Sequence, residues 1–149
     1  MKAYFQIARP WVSRVPLIGS TIKGYYQLTK PRIALLLLIS TSAGMLAAGG
    51  GSISWKTGLA VLLGGYLCAG GAAAMNCYLD RELDLVMKRT RNRPLPAGKI
   101  SPRGALVFSI AISLLSIPLF LIVNPIIMVI GIIAWVYYVL IYSIFLKRR

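Results

Sequence analysis

The only three acidic residues of this 149-residue chain, Asp80, Glu82 and Asp84, lie together in the segment 80–84, against seventeen lysines and arginines. They close a long apolar run, in Met75-Asn76-Cys77-Tyr78-Leu79-Asp80-Arg81-Glu82-Leu83-Asp84. A charged side chain at the centre of a membrane helix costs about 2.5–3.5 kcal/mol on insertion scales, so an ionisable residue at membrane depth marks function by default. On a helix, Asn76, Asp80, Asp84 and Lys88 are each separated by four residues, and each such step advances about 40°. The four form one slowly spiralling stripe, with about 6 Å between successive members. Glu82 stands about 200° from Asp80 and faces away. Two carboxylates and an amide oxygen on one face are hard donors. They suit Mg2+, which takes one or two carboxylates and completes its shell with water and substrate phosphates. Asp80, Asp84 and Asn76 are therefore the candidate catalytic and metal-ligating residues. The competing reading is an interfacial cluster in which the carboxylates merely pair with Arg81, Lys88 and Arg89 at a helix end.

Immediately downstream, Lys88-Arg89-Thr90-Arg91-Asn92-Arg93-Pro94-Leu95-Pro96-Ala97-Gly98-Lys99 packs five cations into twelve residues. Arginine grips phosphate oxygens with parallel hydrogen bonds, and lysine adds a point charge. Pro94 and Pro96 stiffen this loop, and Gly98 permits a sharp turn. A loop that only touches anionic lipid would explain the charges. It explains neither the Pro-x-Pro-x-Gly framing nor the carboxylates just upstream.

The elements that must position these residues follow from hydropathy. The chain is 58% hydrophobic and only 13% charged, with a formal charge of +14. About 20 helical residues cross a hydrocarbon core of about 30 Å. Four apolar segments meet that length, at about 33–50, 57–80 (continuing toward Asp84), 104–123 and 125–146, giving an all-α polytopic membrane bundle. Asn124-Pro125 forms a tight hairpin between the last two, with Asn able to cap and Pro suited to the first turn. Pro118 kinks the third. Counting from Leu59, Asp80 lies about 32 Å along its helix, at the rim of the hydrocarbon. The small residues of the second span (Gly64, Gly65, Gly70, Gly71 and Ala72 to Ala74) suit close helix packing.

Six cations precede the first span (Lys2, Arg9, Arg14, Lys23, Lys30, Arg32), seven follow the second (Arg81, Lys88, Arg89, Arg91, Arg93, Lys99, Arg103) and three end the chain (Lys147, Arg148, Arg149). One, Lys56, lies between the first two spans, and none between the last two. This asymmetry places both termini and the 81–103 loop in the cytoplasm, or in the matrix of an organelle. Cations sorted between apolar spans favour an anionic lipid surface or a phosphorylated ligand over nucleic acid. The absence of histidine removes His-ligated metal sites and His general bases. Cys68 and Cys77, about 13 Å apart along one helix, cannot pair and read as buried structural thiols. No apolar stretch lies close enough to Met1 to be a signal peptide. Residues 1–30 read as an irregular or interfacial cytoplasmic arm, and 31–149 as the membrane domain.

Asn76-x-x-x-Asp80-x-x-x-Asp84, followed by Met87-Lys88-Arg89-Thr90-Arg91-Asn92-Arg93-Pro94-Leu95-Pro96-Ala97-Gly98, resembles the first aspartate-rich motif and loop of the UbiA-type membrane prenyltransferases. The continuation after Met87 is most similar to the branch that farnesylates protoheme IX. So are Lys30-Pro31-Arg32 before the first span and Tyr142-Ser143-x-x-Leu146-Lys147-Arg148 at the end of the fourth. The resemblance covers about residues 25–149. It implies transfer of a farnesyl group from farnesyl diphosphate to a vinyl group of heme b in the cell inner membrane, giving heme O on the way to heme A. Mg2+ would sit on Asp80 and Asp84 with Asn76, and Lys88, Arg89 and Arg93 would clamp the diphosphate. Family members are larger bundles with a second aspartate-containing motif, and no acidic residue follows Asp84 here. On that comparison the chain is a partial enzyme, whose partners besides the bilayer would include the C-terminal half and heme A synthase. The rival readings are a prenyltransferase for a quinone or chlorophyll-type acceptor, a non-catalytic membrane fragment that binds anionic lipid or a partner subunit, and an ion pathway. A single acidic cluster at a membrane rim argues against the last.

Overall fold

The computed structural model describes residues 18–49 and 52–146. Lys2, Arg9, Arg14, Lys147, Arg148 and Arg149, part of the charge asymmetry, lie outside the described residues, as do Gly50 and the first seventeen residues of the expected arm. The side chains of Tyr142 and Leu146, part of the chain-end motif, lie outside them too. The described residues form helices α1 (Ile18–Leu28), α2 (Pro31–Ala48), α3 (Trp55–Leu79), α4 (Arg81–Val86), α5 (Pro102–Val123) and α6 (Pro125–Val136), followed by a π-helical segment, Tyr137–Leu146. There is no strand among them.

Helix starts follow local chemistry. Pro31, Pro102 and Pro125 each open a helix, where a missing N–H has no consequence. Ser101 Oγ accepts from Gly104 N at 3.0 Å. Asn124 Oδ1 accepts from Ile126 N at 2.8 Å, the cap expected of the hairpin asparagine. Helix α5 runs unbroken across Pro118. The end of the N-terminal arm is built into the fold, because α1 is regular and Leu28 at its C-terminus is buried.

Helices α2, α3 and α5, of 18, 25 and 22 residues, are long and apolar enough to cross a membrane. The fourth apolar run departs from the expected single helix: α6 has 12 residues, and the chain then widens to the π form. Ser143 Oγ donates to Tyr138 O at 3.0 Å, five residues back, in step with the wider coil. Such local rewinding is common at functional sites, and here it brings the buried Ser143 against α3.

Helix α3 is the central element. It packs most extensively along α5 and also meets α1, α2, α6 and the π-helical segment. Outward faces stay apolar, with Leu35, Leu36 and Ile39 on α2 and Ile130 and Ile133 on α6 exposed. An all-round apolar helix at a surface belongs in lipid. The glycines of α3 set the approach of its neighbours. A Cβ on Gly64 would meet the Phe120 ring at 2.8 Å, and one on Gly71 would collide with Ser113 Oγ and approach Ser109 O to 3.0 Å. Gly58, on the same helix, faces open space. Gly71→Ala should therefore lower stability by about 1–3 kcal/mol through overpacking, whereas Gly58→Ala should be neutral or stabilising by about 0.5–1 kcal/mol. Thermal unfolding of both variants in detergent checks the opposite signs.

Candidate active site

The acidic stripe survives a change of element. Helix α3 ends at Leu79 and α4 starts at Arg81, but Asp80 keeps helical dihedrals (φ −86°, ψ 0°). Asp80 N donates to Asn76 O at 2.9 Å and Asp84 N to Asp80 O at 2.8 Å, so the four-residue register carries through the junction. Asn76, Asp80 and Asp84 are 2%, 0% and 3% exposed, which makes this a buried face rather than a solvated helix end. Glu82 points outward, where Arg81 reaches it at 3.2 Å and lies over the Tyr78 ring. Exposed pairs of that kind contribute about 0–1 kcal/mol. Lys88 leaves the expected stripe. Helix α4 stops at Val86, Met87 is extended (φ −82°, ψ 123°), and Lys88 is exposed. Thr90 Oγ1 donates to Asp84 O at 3.1 Å and ties the turn back onto the end of α4, so the helix cannot run on to Lys88.

Of the three buried residues on the stripe, Asn76 and Asp84 have charged or hydroxylic neighbours, and Asp80 accepts from the Asn76 amide. Arg93 Nη1 donates to both oxygens of Asp84, at 3.0 and 2.8 Å. Asn76 Nδ2 donates to Asp80 Oδ2 at 2.9 Å and to Ser143 Oγ at 3.0 Å. On its other side, Asn76 Oδ1 accepts from Lys30 Nζ at 3.0 Å. Sequence reasoning did not place Lys30 or Ser143 in the site, although both fall in motifs that carry the resemblance. The available signal for Lys30 was its height: it directly precedes the proline that starts a span, at the rim where Asp80 ends one.

The basic loop is a folded platform. Leu95 is fully buried, and with Ile100 it packs against Leu28, Ala74, Cys77 and Ala105. Gly98 adopts φ +70°, the left-handed conformation its sharp turn requires. Lys99 N donates to Pro94 O and Ala97 N to Arg93 O, both at 2.9 Å, closing the loop on itself. Arg89 and Arg93 thereby line a pocket of about 490 Å3, together with Lys30, Gln27, Asn92 and the apolar Leu28 and Ile33. Lys30 also borders a second cavity of about 410 Å3, between α2, α3 and α6, whose walls include Ile33, Leu37, Ala69 and Trp135. A cation-lined pocket and an apolar cavity thus share one lysine, beside two buried carboxylates.

Among the described residues, no three of His, Cys, Asp and Glu are grouped to hold a metal ion. A site for a metal held wholly by protein side chains, of the zinc kind, is not what these residues build. Asp80 and Asp84 could supply the one or two carboxylates that suffice for an ion whose shell is completed by water and a phosphorylated ligand.

Apolar spanning helices with carboxylates and cations gathered at one end define a polytopic helical membrane protein with a polar site at its rim. Residues 37–149 match the UbiA prenyltransferase family, and the chain belongs to that family. It is 46% identical over 133 residues to a Synechocystis sp. protein named protoheme IX farnesyltransferase, covering 89% of this chain and 42% of that relative. Proteins of the same name from Renibacterium salmoninarum and Gloeobacter violaceus are 46% and 44% identical over 128 and 135 residues, covering 85% and 90% of this chain. The chain spans 40–44% of the length of these three relatives. No solved structure matches it.

The Arg93–Asp84 pair is a structural commitment, because Asp84 is buried and Arg93 Nη1 meets its carboxylate at 2.8 Å. Arg93→Met should destabilise the fold by about 1–3 kcal/mol by stranding a buried charge. Combining it with Asp84→Asn should recover part of that loss. Unfolding of the two single variants and the double variant in one detergent measures the coupling.

Proposed function

We propose that this chain carries the first acidic motif and diphosphate platform of a protoheme IX farnesyltransferase, which moves the farnesyl group of farnesyl diphosphate onto a vinyl group of heme b. The observation that carries the reading is Lys30, shared by the cation-lined pocket and the apolar cavity beside Asp80 and Asp84. A ligand with a diphosphate head and a long apolar tail has the two chemistries that these spaces separate. The names of the matching relatives support the same substrates.

In this reading Asp80 and Asp84 would hold Mg2+, which when bound would supply neutralisation of the charge on the departing diphosphate. Asn76 turns its oxygen to Lys30 and its amide nitrogen to Asp80, so its part is to hold the Asp80 carboxylate in place. Arg89 and Arg93 receive the phosphate oxygens, joined by Lys88 from the exposed turn. Arg93, which pairs with Asp84 in the structure, would turn to the phosphate oxygens and leave Asp84 able to serve as a metal-holding carboxylate. The allylic C–O bond breaks, the farnesyl carbon bonds to the vinyl group, and water supplies the hydroxyl of heme O. The apolar walls around Ile33 and Trp135 exclude water from the tail. The fourth apolar run completes a crossing, and the cation asymmetry sets both termini and the basic loop on the cytoplasmic side of the cell inner membrane. The product feeds heme A formation.

The chain is joined to the remainder of a matching relative, reconstituted with heme b, farnesyl diphosphate and Mg2+, and the heme product is weighed by mass spectrometry. Farnesylated heme should form, and Asp80→Asn or Asp84→Asn should abolish it. Arg93→Ala should raise the farnesyl diphosphate KM or lower kcat. Full activity in both aspartate variants would contradict the metal assignment. Farnesylation of a quinone in place of heme would reassign the acceptor.

A further inference from the structure

Three elements distant in sequence meet at one amide: Lys30 from the α1–α2 turn, Asn76 from α3 and Ser143 from the π-helical segment. Lysine only donates hydrogen bonds and an ionised carboxylate only accepts them. An amide between Lys30 Nζ and Asp80 Oδ2 therefore has one orientation. Turned over, it would set its NH2 against the ammonium and its oxygen against the carboxylate. Asn76, Asp80 and Ser143 are 2%, 0% and 0% exposed, so the Asn76–Asp80 and Asn76–Ser143 bonds are shielded from bulk water, while the Lys30–Asn76 bond is partly buried.

Lys30 is itself held in place. It is the one non-glycine residue with positive φ among those described (φ 50°, ψ 61°), a conformation lysine seldom adopts. Its N–H donates to Gln27 O at 3.2 Å, and its carbonyl accepts from Ile33 N at 2.9 Å and Ala34 N at 3.1 Å. Next to it, the Thr29 hydroxyl lies 3.2 Å from the Tyr66 hydroxyl, and Thr29 rests on Gly70, where a Cβ would come within 3.2 Å. The strained turn is thus seated directly on α3, and it delivers the ammonium to Asn76. A backbone outlier that points a side chain into a buried polar network is an observation from which function is reasonably inferred.

We propose that Lys30 is the positioning residue of the acidic site: by holding Asn76 Oδ1 it fixes the amide that sets the Asp80 carboxylate. Lys30 acts through a hydrogen bond, in addition to any attraction its charge exerts on a ligand. This rests on the reading of Asp80 and Asp84 as metal-holding residues, and the test separates the two. Partners that orient a ligating side chain typically contribute 10–100-fold in metal affinity.

The chain has three asparagines, Asn76, Asn92 and Asn124, so side-chain 15N-asparagine labelling gives three NH2 pairs, of which Asn124, in the hairpin away from the site, is the internal control for folding. The protein in lipid nanodiscs is compared with Lys30→Met, Lys30→Gln and Lys30→Arg by NMR. Mn2+ is titrated in the presence of inorganic diphosphate and followed by EPR. Lys30→Met should move the Asn76 pair, leave the Asn124 pair in place and raise the Mn2+ Kd about 10–100-fold. Lys30→Gln, which keeps a donor without the charge, and Lys30→Arg should restore both readouts. An unmoved Asn76 pair in Lys30→Met overturns the proposal, as does an unchanged Mn2+ Kd in Lys30→Met while Asp80→Asn abolishes binding. Rescue by Lys30→Arg but not Lys30→Gln also overturns it, since charge would then be the operative property. Mn2+ binding that survives Asp80→Asn would instead remove the metal reading, with the NMR arm still deciding whether Lys30 orients Asn76.

Discussion

Two carboxylates buried at the end of an apolar helix are the constraint from which the surrounding structure follows. Asp80 and Asp84 are 0% and 3% exposed in a bundle whose outer faces are hydrocarbon-like. Burying a charge is tolerable only with partners that satisfy it. Those partners come from everywhere except the carboxylates' own short helix: Arg93 from the loop, Asn76 from the preceding turn of α3 and, through Asn76, Lys30 and Ser143. The loop fold, the strained α1–α2 turn and the π-helical segment can each be understood as a way of bringing a donor to this face.

The loop shows how a stretch rich in cations becomes a folded surface. Its charges alone would repel one another and keep it solvated. Leu95 and Ile100, both buried, anchor it to the core formed by α1, α3 and α5. Thr90 bonds Asp84 O, and a succession of short backbone hydrogen bonds from Thr90 to Lys99 removes its remaining freedom. The cations are then carried on a scaffold, which in the proposed function leaves little to order when the diphosphate binds. Such preorganisation favours both affinity and transition-state stabilisation.

What could be read from the sequence was set by range. The Asn76–Asp80–Asp84 stripe is a local, four-residue pattern, and the structure keeps it because Asp80 remains helical between α3 and α4. The Asn124 cap and the Gly98 turn were legible for the same reason. Extending the stripe to Lys88 overreached: nothing local in the residues announces that Thr90 will fold back and Met87 will open the chain. The pairing of Lys30 with Asn76 spans 46 residues and that of Asn76 with Ser143 spans 67, beyond any periodicity argument. The break of the fourth apolar run into α and π parts was invisible for a related reason. Hydropathy registers apolar length, whereas the rewinding accompanies the burial of one serine against a distant helix.

The central claim is that Asp80 and Asp84 hold a divalent cation in common with a diphosphate head group. The most direct measurement is 31P electron–nuclear double resonance of Mn2+ bound to the reconstituted protein with farnesyl diphosphate. A 31P coupling present in the unaltered protein and lost with Asp80→Asn is the expected result. A Mn2+ spectrum without 31P coupling, or one identical in the Asp80→Asn variant, would contradict the claim.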